Sequence, residues 1–279
     1  MPGRVPRVTR TEAIVLRHRR LGEADRVVTL LTPLRGKLDA VAKGALRPRS
    51  KLAGHLEPLA HVDVLLAHGR TLDIVTQAQL RDGFPALHAD LDRMAAGLYV
   101  LELADRLTVD RAEAEPVYAL VLLALRRLAL GDGLQLVSRS YELALLEASG
   151  FRPQWRDCVG CDTPVSAERA SWSALAGGVV CRDCLATHAE AVAIDSGVLR
   201  VLRAYQDGPY EQAARIRLTA ELAAGLERVM HALMRAVTER ALGTARFVGE
   251  ARRSSATAPA GAVAPSGGPG VGVYTDEQD

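Results

Sequence analysis

The stretch that decides the fold is residues 21–58, LGEADRVVTLLTPLRGKLDAVAKGALRPRSKLAGHLEP. It contains two runs of strand-forming residues, a basic turn between them, and a basic loop interrupted by glycine and proline. Short alternating strands with cations at their turns are typical of a small β-barrel that holds a polyanion. The alternative interpretation is that these cations only keep a small barrel soluble. The cations are Arg26, Arg35, Lys37, Lys43, Arg47, Arg49 and Lys51.

Charge is distributed unevenly along the 279 residues. Residues 1–81 carry 15 Lys and Arg against 7 Asp and Glu, a net charge of +8. The remainder carries 20 against 26, a net charge of −6, which leaves +2 for the whole chain. The length predicts about two domains, and a basic first part on a mildly acidic body predicts a polyanionic partner for that first part.

Residues 1–82 are predicted to form a five-stranded Greek-key barrel of the OB type, and an SH3-like barrel is the alternative that strand spacing leaves open. The predicted strands are residues 11–18, 26–32, 37–42, 62–66 and 72–80. In the last of them, alternation predicts two faces, with only Val75 breaking the pattern. One face has Leu72, Ile74, Thr76, Ala78 and Leu80, and the other has Asp73, Gln77, Gln79 and Arg81.

Beyond residue 83 the apolar period changes from two to about 3.6, which predicts an α-helical bundle over residues 83–250. Asp90 is the expected N-cap of the first helix, and Pro116 fits the first turn of the second. The stripe expected to face the core on the first helix is Leu91, Met94, Leu98, Leu101 and Ala104 or Asp105. Further helices are predicted from about Gln135, Ser196 and Thr219. Residues 251–279, rich in Ala, Pro, Gly and Ser, are predicted to be a disordered tail.

Four cysteines form two C-x-x-C pairs 19 residues apart, a spacing typical of a zinc site. They are Cys158, Cys161, Cys181 and Cys184, within a predicted zinc ribbon over residues 155–187. Four thiolates leave no open coordination position, so the predicted zinc is structural. Redox dithiols or free core thiols are the alternatives, and Trp155 and Trp172 are expected to pack the ribbon.

Several patterns are missing from the sequence. It has no phosphate-binding loop, no metalloprotease or serine-hydrolase motif and no dinucleotide-binding motif, so we expect a protein that is not an enzyme. Residues 117–130 are interrupted by Arg126 and Arg127 and are too short to span a membrane, and no signal peptide precedes them. A cytoplasmic protein is therefore expected, in which cysteines are metal ligands rather than disulfide partners.

Residues 1–83 contain no Phe, Tyr or Trp. Proteins that bind single strands without sequence preference usually stack the bases on aromatic side chains, which this barrel cannot do. DNA binding would therefore rely on contacts between cations and phosphates and weaken steeply with salt. Such binding discriminates poorly between sequences, and also between single and double strands.

Six segments occur in a characteristic order: L-G-E-A-D-R-V-V-T-L-L-T (21–32), G-K-L-D-A-V-A-K-G (36–44), S-K-L-A-G-H-L-E-P (50–58), Y-E-L (141–143), F-R-P-Q (151–154) and G-G-V-V-C-R-D-C (177–184). Together they resemble the RecO family of DNA repair proteins. The resemblance covers roughly residues 8–248. It implies an OB-fold domain and a helical domain with an inserted zinc ribbon. One departure is Leu59, where relatives often have Phe.

The resemblance also implies a function, that of a recombination mediator of the RecF pathway. Such a protein binds single-stranded DNA, anneals complementary strands, and with RecR helps to load RecA onto DNA coated by single-strand binding protein (SSB). It implies DNA contacts at Lys37 and Lys43, a site for the SSB C-terminal tail on the helical domain, and localisation with the nucleoid. Arg35, Arg47, Arg49 and Lys51 are predicted DNA contacts on charge alone.

Two other functions fit the residues less completely. One is an RNA-binding OB-fold and zinc-ribbon protein of transcription or translation. No residue in the sequence is recognisable as a contact to the 2′-hydroxyl, so the residues do not distinguish RNA from DNA. The other is an enzyme that uses the cysteines, as a zinc hydrolase or a dithiol oxidoreductase. A catalytic zinc would need an open coordination position.

Overall fold

The first five strands hydrogen-bond to one another in a ring, which we call the N-terminal sheet. They are β1 (Val8–Leu21), β2 (Asp25–Thr32), β3 (Gly36–Ala42), β4 (His61–Ala67) and β5 (Asp73–Asp82). The order is β1-β2-β3-β5-β4, and β4 pairs back with β1. All pairs are antiparallel except β3 with β5. This computed structural model describes residues 8–256, with side chains for residues 8–239. All five predicted strands are confirmed, with ends that differ by a few residues.

Two apolar clusters hold the fold together, and β1 contributes to both. Ala13 and Val15 point into the ring, where they join a buried cluster that belongs to the N-terminal sheet alone. Ile14 and Leu16 point to the other side and join the buried cluster of the helices. Because neighbouring residues of a strand face opposite ways, one strand serves both cores.

The predicted faces of β5 are wrong at its N-terminal end. The register with β4 shifts, because Leu65 pairs with Gln77 while Leu66 pairs with Val75, so Thr76 is an extra residue. Such a bulge reverses the facing of the residues before it. Val75 is therefore buried inside the ring, and so is Asp73, which alternation had placed outside.

Seven α-helices follow the ring among the described residues. They are α1 (Pro85–His88), α2 (Leu91–Leu107), α3 (Glu115–Leu130), α4 (Leu134–Ala148), α5 (Ser196–Asp207), α6 (Tyr210–Ala213) and α7 (Ala220–Ala256). Asp90 caps α2 by accepting from the backbone N–H groups of Asp92 and Arg93. Pro116 lies in the first turn of α3. Both predictions are confirmed.

The stripe predicted to bury α2 is partly wrong. Leu91 is 74% exposed and Leu98 is 42% exposed. Leu101 and Ala104 are buried as predicted, and the buried side of the helix also includes Gly97. At Gly97 a β-carbon would lie 2.9 Å from the Leu59 side chain, so the helix approaches its neighbours along its smallest residues. Hydrophobic periodicity gives no weight to glycine and therefore missed Gly97.

The backbone of Gly36 fixes the N-terminal sheet against the loop that precedes α3. Its φ is +59°, and a β-carbon there would lie 1.7 Å from the carbonyl oxygen of Ala112, so only glycine fits. Nearby, the N–H of Ala114 donates to the carbonyl of Pro33 at 3.2 Å. The N–H of Arg111 donates to the carbonyl of Lys37 at 2.8 Å.

Between α4 and α5 lies a small three-stranded sheet, of order β7-β6-β8. Its strands are β6 (Ser171–Ser173), β7 (Gly178–Val180) and β8 (Val192–Ala193). Strand β8 lies beyond residue 187, where the predicted ribbon ends. Trp155 and Trp172 are buried beside it with ring centroids 6.1 Å apart, which confirms their predicted packing role.

The chain divides into two compact units near its C-terminal end. One compact unit is Met1–Ala241 and a second is Leu242–Asp279. Helix α7 continues past the predicted start of the tail at residue 251 to Ala256, and residues 257–279 of that predicted tail lie outside the described residues. Among the residues that are described, no helix has the length and apolar character needed to cross a membrane.

Candidate nucleic-acid interface and metal centre

Four of the six predicted DNA contacts lie on one loop after β3, which we call the basic loop (residues 43–51). They are Lys43, Arg47, Arg49 and Lys51. All four side chains are exposed, and none has a hydrogen bond or ion pair within residues 8–239. The loop keeps its cations outward because Ala45 is buried against the core of the N-terminal sheet. These charges are therefore available to a polyanion.

The basic loop is anchored at both ends by the N-terminal sheet. At its start, the N–H of Gly44 donates to the Asp25 carboxylate at 2.7 Å. After its end, Glu57 accepts from Arg26 at 2.6 Å and lies 2.9 Å from the His18 ring. Burial raises the pKa of Glu57, but the hydrogen bonds from Arg26 and His18 outweigh it and lower this pKa overall. Glu57 is consequently ionised at neutral pH and holds both partners.

Arg35 lies elsewhere, in an ion pair with the inward-facing Asp73. Its Nη2 donates to Asp73 Oδ2 at 2.6 Å, and the Asp73 side chain is only 1% exposed. Burial raises the pKa of Asp73, but the hydrogen bond and charge of Arg35 outweigh it, so the pKa is lowered overall. Arg35 neutralises a buried carboxylate, and its predicted contact with DNA stays a prediction.

Lys37 is likewise engaged within the protein, at the boundary between the N-terminal sheet and α2. Its Nζ lies 3.2 Å from an Asp105 carboxylate oxygen and 3.3 Å from that of Asp110, and it also donates to the Asp105 carbonyl. Arg17 reaches the same Asp105 carboxylate at 2.7 Å. The Lys37 side chain is 14% exposed, so DNA would have to displace these partners. Its contact with DNA also stays a prediction.

A second polar contact joins the N-terminal sheet to α3. The Tyr118 hydroxyl donates to Glu12 at 3.0 Å and lies 2.9 Å from the buried ring of His61. Arg81 completes the group with an ion pair to Glu12 at 2.7 Å. Burial lowers the pKa of His61, so the ring is neutral at physiological pH. Together with the Lys37 pairs, this contact fixes the sheet relative to the helices.

Sequence reasoning missed the partners of these charges. Asp105 is separated from Lys37 by 68 residues, and Asp73 from Arg35 by 38. Nothing in the local sequence marks such pairs, because they form only when the ring and the bundle are packed. Sequence spacing finds pairs three or four residues apart on a helix, and these pairs are much further apart.

Glu142 is a further charged group that the sequence did not reveal. It is fully buried in α4, 3.1 Å from Arg139, and accepts from the Tyr99 hydroxyl at 2.6 Å. Burial raises the pKa of Glu142 to about 7, although Arg139 and Tyr99 act to lower it. Both of its partners belong to helices, Tyr99 to α2 and Arg139 to α4.

The four predicted metal ligands meet at one point. The sulfurs of Cys158, Cys161, Cys181 and Cys184 all lie within 4.8 Å of one another, so they could hold a metal ion. The sulfurs of Cys161 and Cys181 are 3.7 Å apart. At Gly160 a β-carbon would lie 3.1 Å from the Cys184 sulfur, so glycine leaves room for the cluster.

Backbone N–H groups point at the first of these sulfurs. Cys158 Sγ accepts from the N–H of Cys181 at 3.2 Å and from that of Gly160 at 3.4 Å. Burial raises the pKa of Cys158, but these donors outweigh it and lower the pKa to about 6. Cys158 is therefore prepared as a thiolate, the form that binds metals.

Comparison with known proteins agrees with this architecture. Residues 7–84 match the family described as "Recombination protein O N terminal", and residues 88–246 match "Recombination protein O C terminal". The chain belongs to the RecO family. This confirms the resemblance to the RecO family that was predicted from the sequence.

Similar proteins carry the name "DNA repair protein RecO". That of Roseiflexus sp. (strain RS-1) is 38% identical over 260 residues, covering 93% of this chain and 92% of the relative. That of Symbiobacterium thermophilum is 36% identical over 85% of this chain and 95% of the relative. That of Desulforudis audaxviator is 42% identical over 75% and 84%. The chain thus belongs to a family of DNA repair and recombination proteins.

Proposed function

We propose that this protein is a non-enzymatic mediator of DNA repair and recombination, which binds single-stranded DNA and anneals complementary strands. The observation that carries the proposal is the basic loop, whose four exposed cations have no partner within residues 8–239. Bound phosphates on two strands would repel each other less, and base pairing would then supply the sequence specificity. The ring order of the strands supports an OB-type barrel as the DNA-binding part.

Annealing of SSB-coated complementary strands tests this proposal. Replacing Arg47 and Arg49 by alanine should slow annealing severalfold, because two phosphate contacts are lost. Replacing Arg169 and Arg182, two exposed arginines outside the basic loop, is the matched control and should leave the rate unchanged. Equal rates for both double variants and the parent would contradict the proposal. Family membership does not favour the alternative of an RNA-binding protein.

The partners that we propose are RecR, RecA-loading complexes on SSB-coated DNA, and the SSB tail, in the nucleoid. A groove of about 1060 Å³ in the helical part supports the last of these. Its walls include Leu123, Leu134 and Ile216, with Arg126 and Arg215 beside them. An apolar groove with arginines suits a peptide that has apolar and acidic side chains. A titration with the SSB tail peptide should show binding that Leu134→Asp and Ile216→Asp abolish.

We further propose that the cysteine cluster holds a structural zinc ion within a zinc ribbon. For a zinc–sulfur distance of about 2.3 Å, the sulfurs of a tetrahedron are about 3.8 Å apart, close to the 3.7 Å between Cys161 and Cys181. Four sulfurs fill the coordination sphere, so the ion would organise the ribbon without taking part in a reaction. One zinc and four unreactive thiols per chain are expected, and reactive thiols in the zinc-loaded protein would contradict a closed site.

A further inference from the structure

A polar cleft lies beside the basic loop, on the outer side of the N-terminal sheet. It has a volume of about 670 Å³ and is bordered by Lys51 and Leu52 of the loop region and by residues of β4 and β5. Volumes of this size are typical of sites for small organic groups. Because Lys51 belongs both to the basic loop and to the wall of the cleft, a strand held by the loop would pass the opening.

Two glutamines form the floor of the cleft. Gln77 and Gln79 are two residues apart on β5, so their side chains share the outer face, opposite Leu65 and Asp63 of β4. Both are exposed, and neither amide has a hydrogen-bond partner within residues 8–239. Each amide offers a donor and an acceptor side by side, the arrangement that pairs with the edge of a base.

The other edge of β5 is open along the cleft. Strand β3 pairs with β5 only at Ala40 with Asp73 and Val41 with Ile74. Beyond Ile74, no strand among the described residues pairs with that edge, so its backbone donors and acceptors are also free. The bulge at Thr76 bends β5 at the point where the pairing with β3 stops.

The charges around the cleft suit nucleic acid. Its one carboxylate, Asp63, is paired with Arg81 at 3.0 Å and lies 3.9 Å from Arg10. Lys51, across the cleft, has no partner among the side chains described. The walls contain no aromatic residue, so a base held here would be recognised by hydrogen bonds rather than by stacking.

We propose that this cleft receives unpaired bases of a DNA strand whose phosphates lie on the basic loop, with Gln77 and Gln79 hydrogen-bonded to the base edges. The inference rests on the proposed function, and it adds a preference for single strands. Bases in a duplex have their pairing edges occupied and cannot enter, so only unpaired strands use the cleft. The basic loop alone would hold both forms.

The test compares the parent with a Gln77→Ala, Gln79→Ala variant and a Gln154→Ala, Gln212→Ala control, which removes two exposed amides elsewhere. Each is titrated with a single strand, the same sequence as a duplex, and the single strand with abasic sites in place of bases. The cleft variant should bind the single strand about tenfold more weakly, as expected for the loss of two hydrogen bonds. Its affinity for duplex and the salt dependence of its binding should stay those of the parent, because both side chains are neutral.

The abasic strand makes the test specific. The parent should bind it about tenfold more weakly than the normal strand, whereas the cleft variant should bind both alike. Equal binding of all strands by parent and cleft variant would overturn the inference, and so would an equal loss for duplex and single strand. A failure of the proposed function would be seen in a different variant. Replacing the cations of the basic loop would then leave DNA binding unchanged.

Discussion

Arg35 and Lys37 lie only a few residues before the basic loop, and the sequence gives no reason to separate them from Lys43 or Arg47. The structure does separate them. Arg35 is paired with the buried Asp73, and Lys37 with Asp105 and Asp110. The cations of the basic loop have no such partners among the described side chains. A count of charges therefore overstates the charge that DNA can reach.

The difference has a physical basis. A cation that is paired with a buried carboxylate is held by it. If the cation bound a phosphate instead, the carboxylate would remain buried without a compensating charge, which is costly. An exposed cation without a partner releases only its hydration and the counterions of the DNA. We therefore expect changes to the two groups to affect different measurements.

The largest effect is expected for Arg35→Met. The variant leaves Asp73 as a buried carboxylate without its main partner, which should lower the free energy of unfolding by about 3–5 kcal/mol. Urea unfolding measures this change. Lys43→Met removes a cation of the basic loop as the matched control and should stay within about 0.5 kcal/mol of the parent. Equal changes in the free energy of unfolding for Arg35→Met and Lys43→Met would contradict the distinction between paired and free cations.

Lys37→Met should have a smaller effect on stability, about 1–3 kcal/mol, because its partners Asp105 and Asp110 are partly exposed. If the Lys37 pairs persist when DNA binds, the salt dependence of DNA affinity should equal that of the parent. A slope reduced by about one phosphate contact would show instead that Lys37 exchanges its carboxylates for DNA.

Replacing all four cations of the basic loop by alanine should change binding without changing the fold. For single-stranded DNA, the slope of log affinity against log salt should fall by about 3, since each contact contributes about 0.7. At low salt the loss should be at least tenfold, or about 1.4 kcal/mol. A salt series by fluorescence anisotropy measures both. An unchanged slope would place the DNA elsewhere on the protein.

The smallest effect concerns pH. The low pKa of Asp73 in the folded protein means that its pair with Arg35 stabilises the fold above about pH 4, near the unfolded-state pKa. This stabilisation is lost as the pH falls through the folded-state pKa. In Arg35→Met, burial dominates and favours the protonated acid. The unfolded state is the same for both proteins, so the difference in stability between parent and variant should narrow as the pH falls from the raised pKa of Asp73 in the variant towards its lowered pKa in the parent.

Urea unfolding of both proteins at about pH 7 and about pH 3.5 measures this narrowing. Glu142, whose pKa is about 7, titrates in both proteins and cancels in the difference. A constant difference across this range would show that the Arg35 effect does not depend on the ionisation of Asp73.

Much of the fold and the site could be predicted from the sequence, wherever the signal is local. The N-cap Asp90 and the first-turn Pro116 act on residues next to them, and the two C-x-x-C pairs bring their sulfurs together through short turns. The faces of β5 and α2 could not be predicted in the same way. One depends on a bulge opposite Leu65, and the other on the close approach of Leu59 to Gly97.

The sequence by itself determined the five strands, the helices, the cysteine cluster and the excess of positive charge in the first part of the chain. These follow from side-chain periodicity and from spacing within short segments. Only the tertiary structure decided which cations stay free. Asp73 and Asp105, which pair with Arg35 and Lys37, are distant from them in sequence. It also decided where β5 leaves β3 and opens a cleft beside the basic loop. These two ion pairs and this strand edge are properties of the packed chain, because no short segment contains both Arg35 and Asp73 or both Lys37 and Asp105.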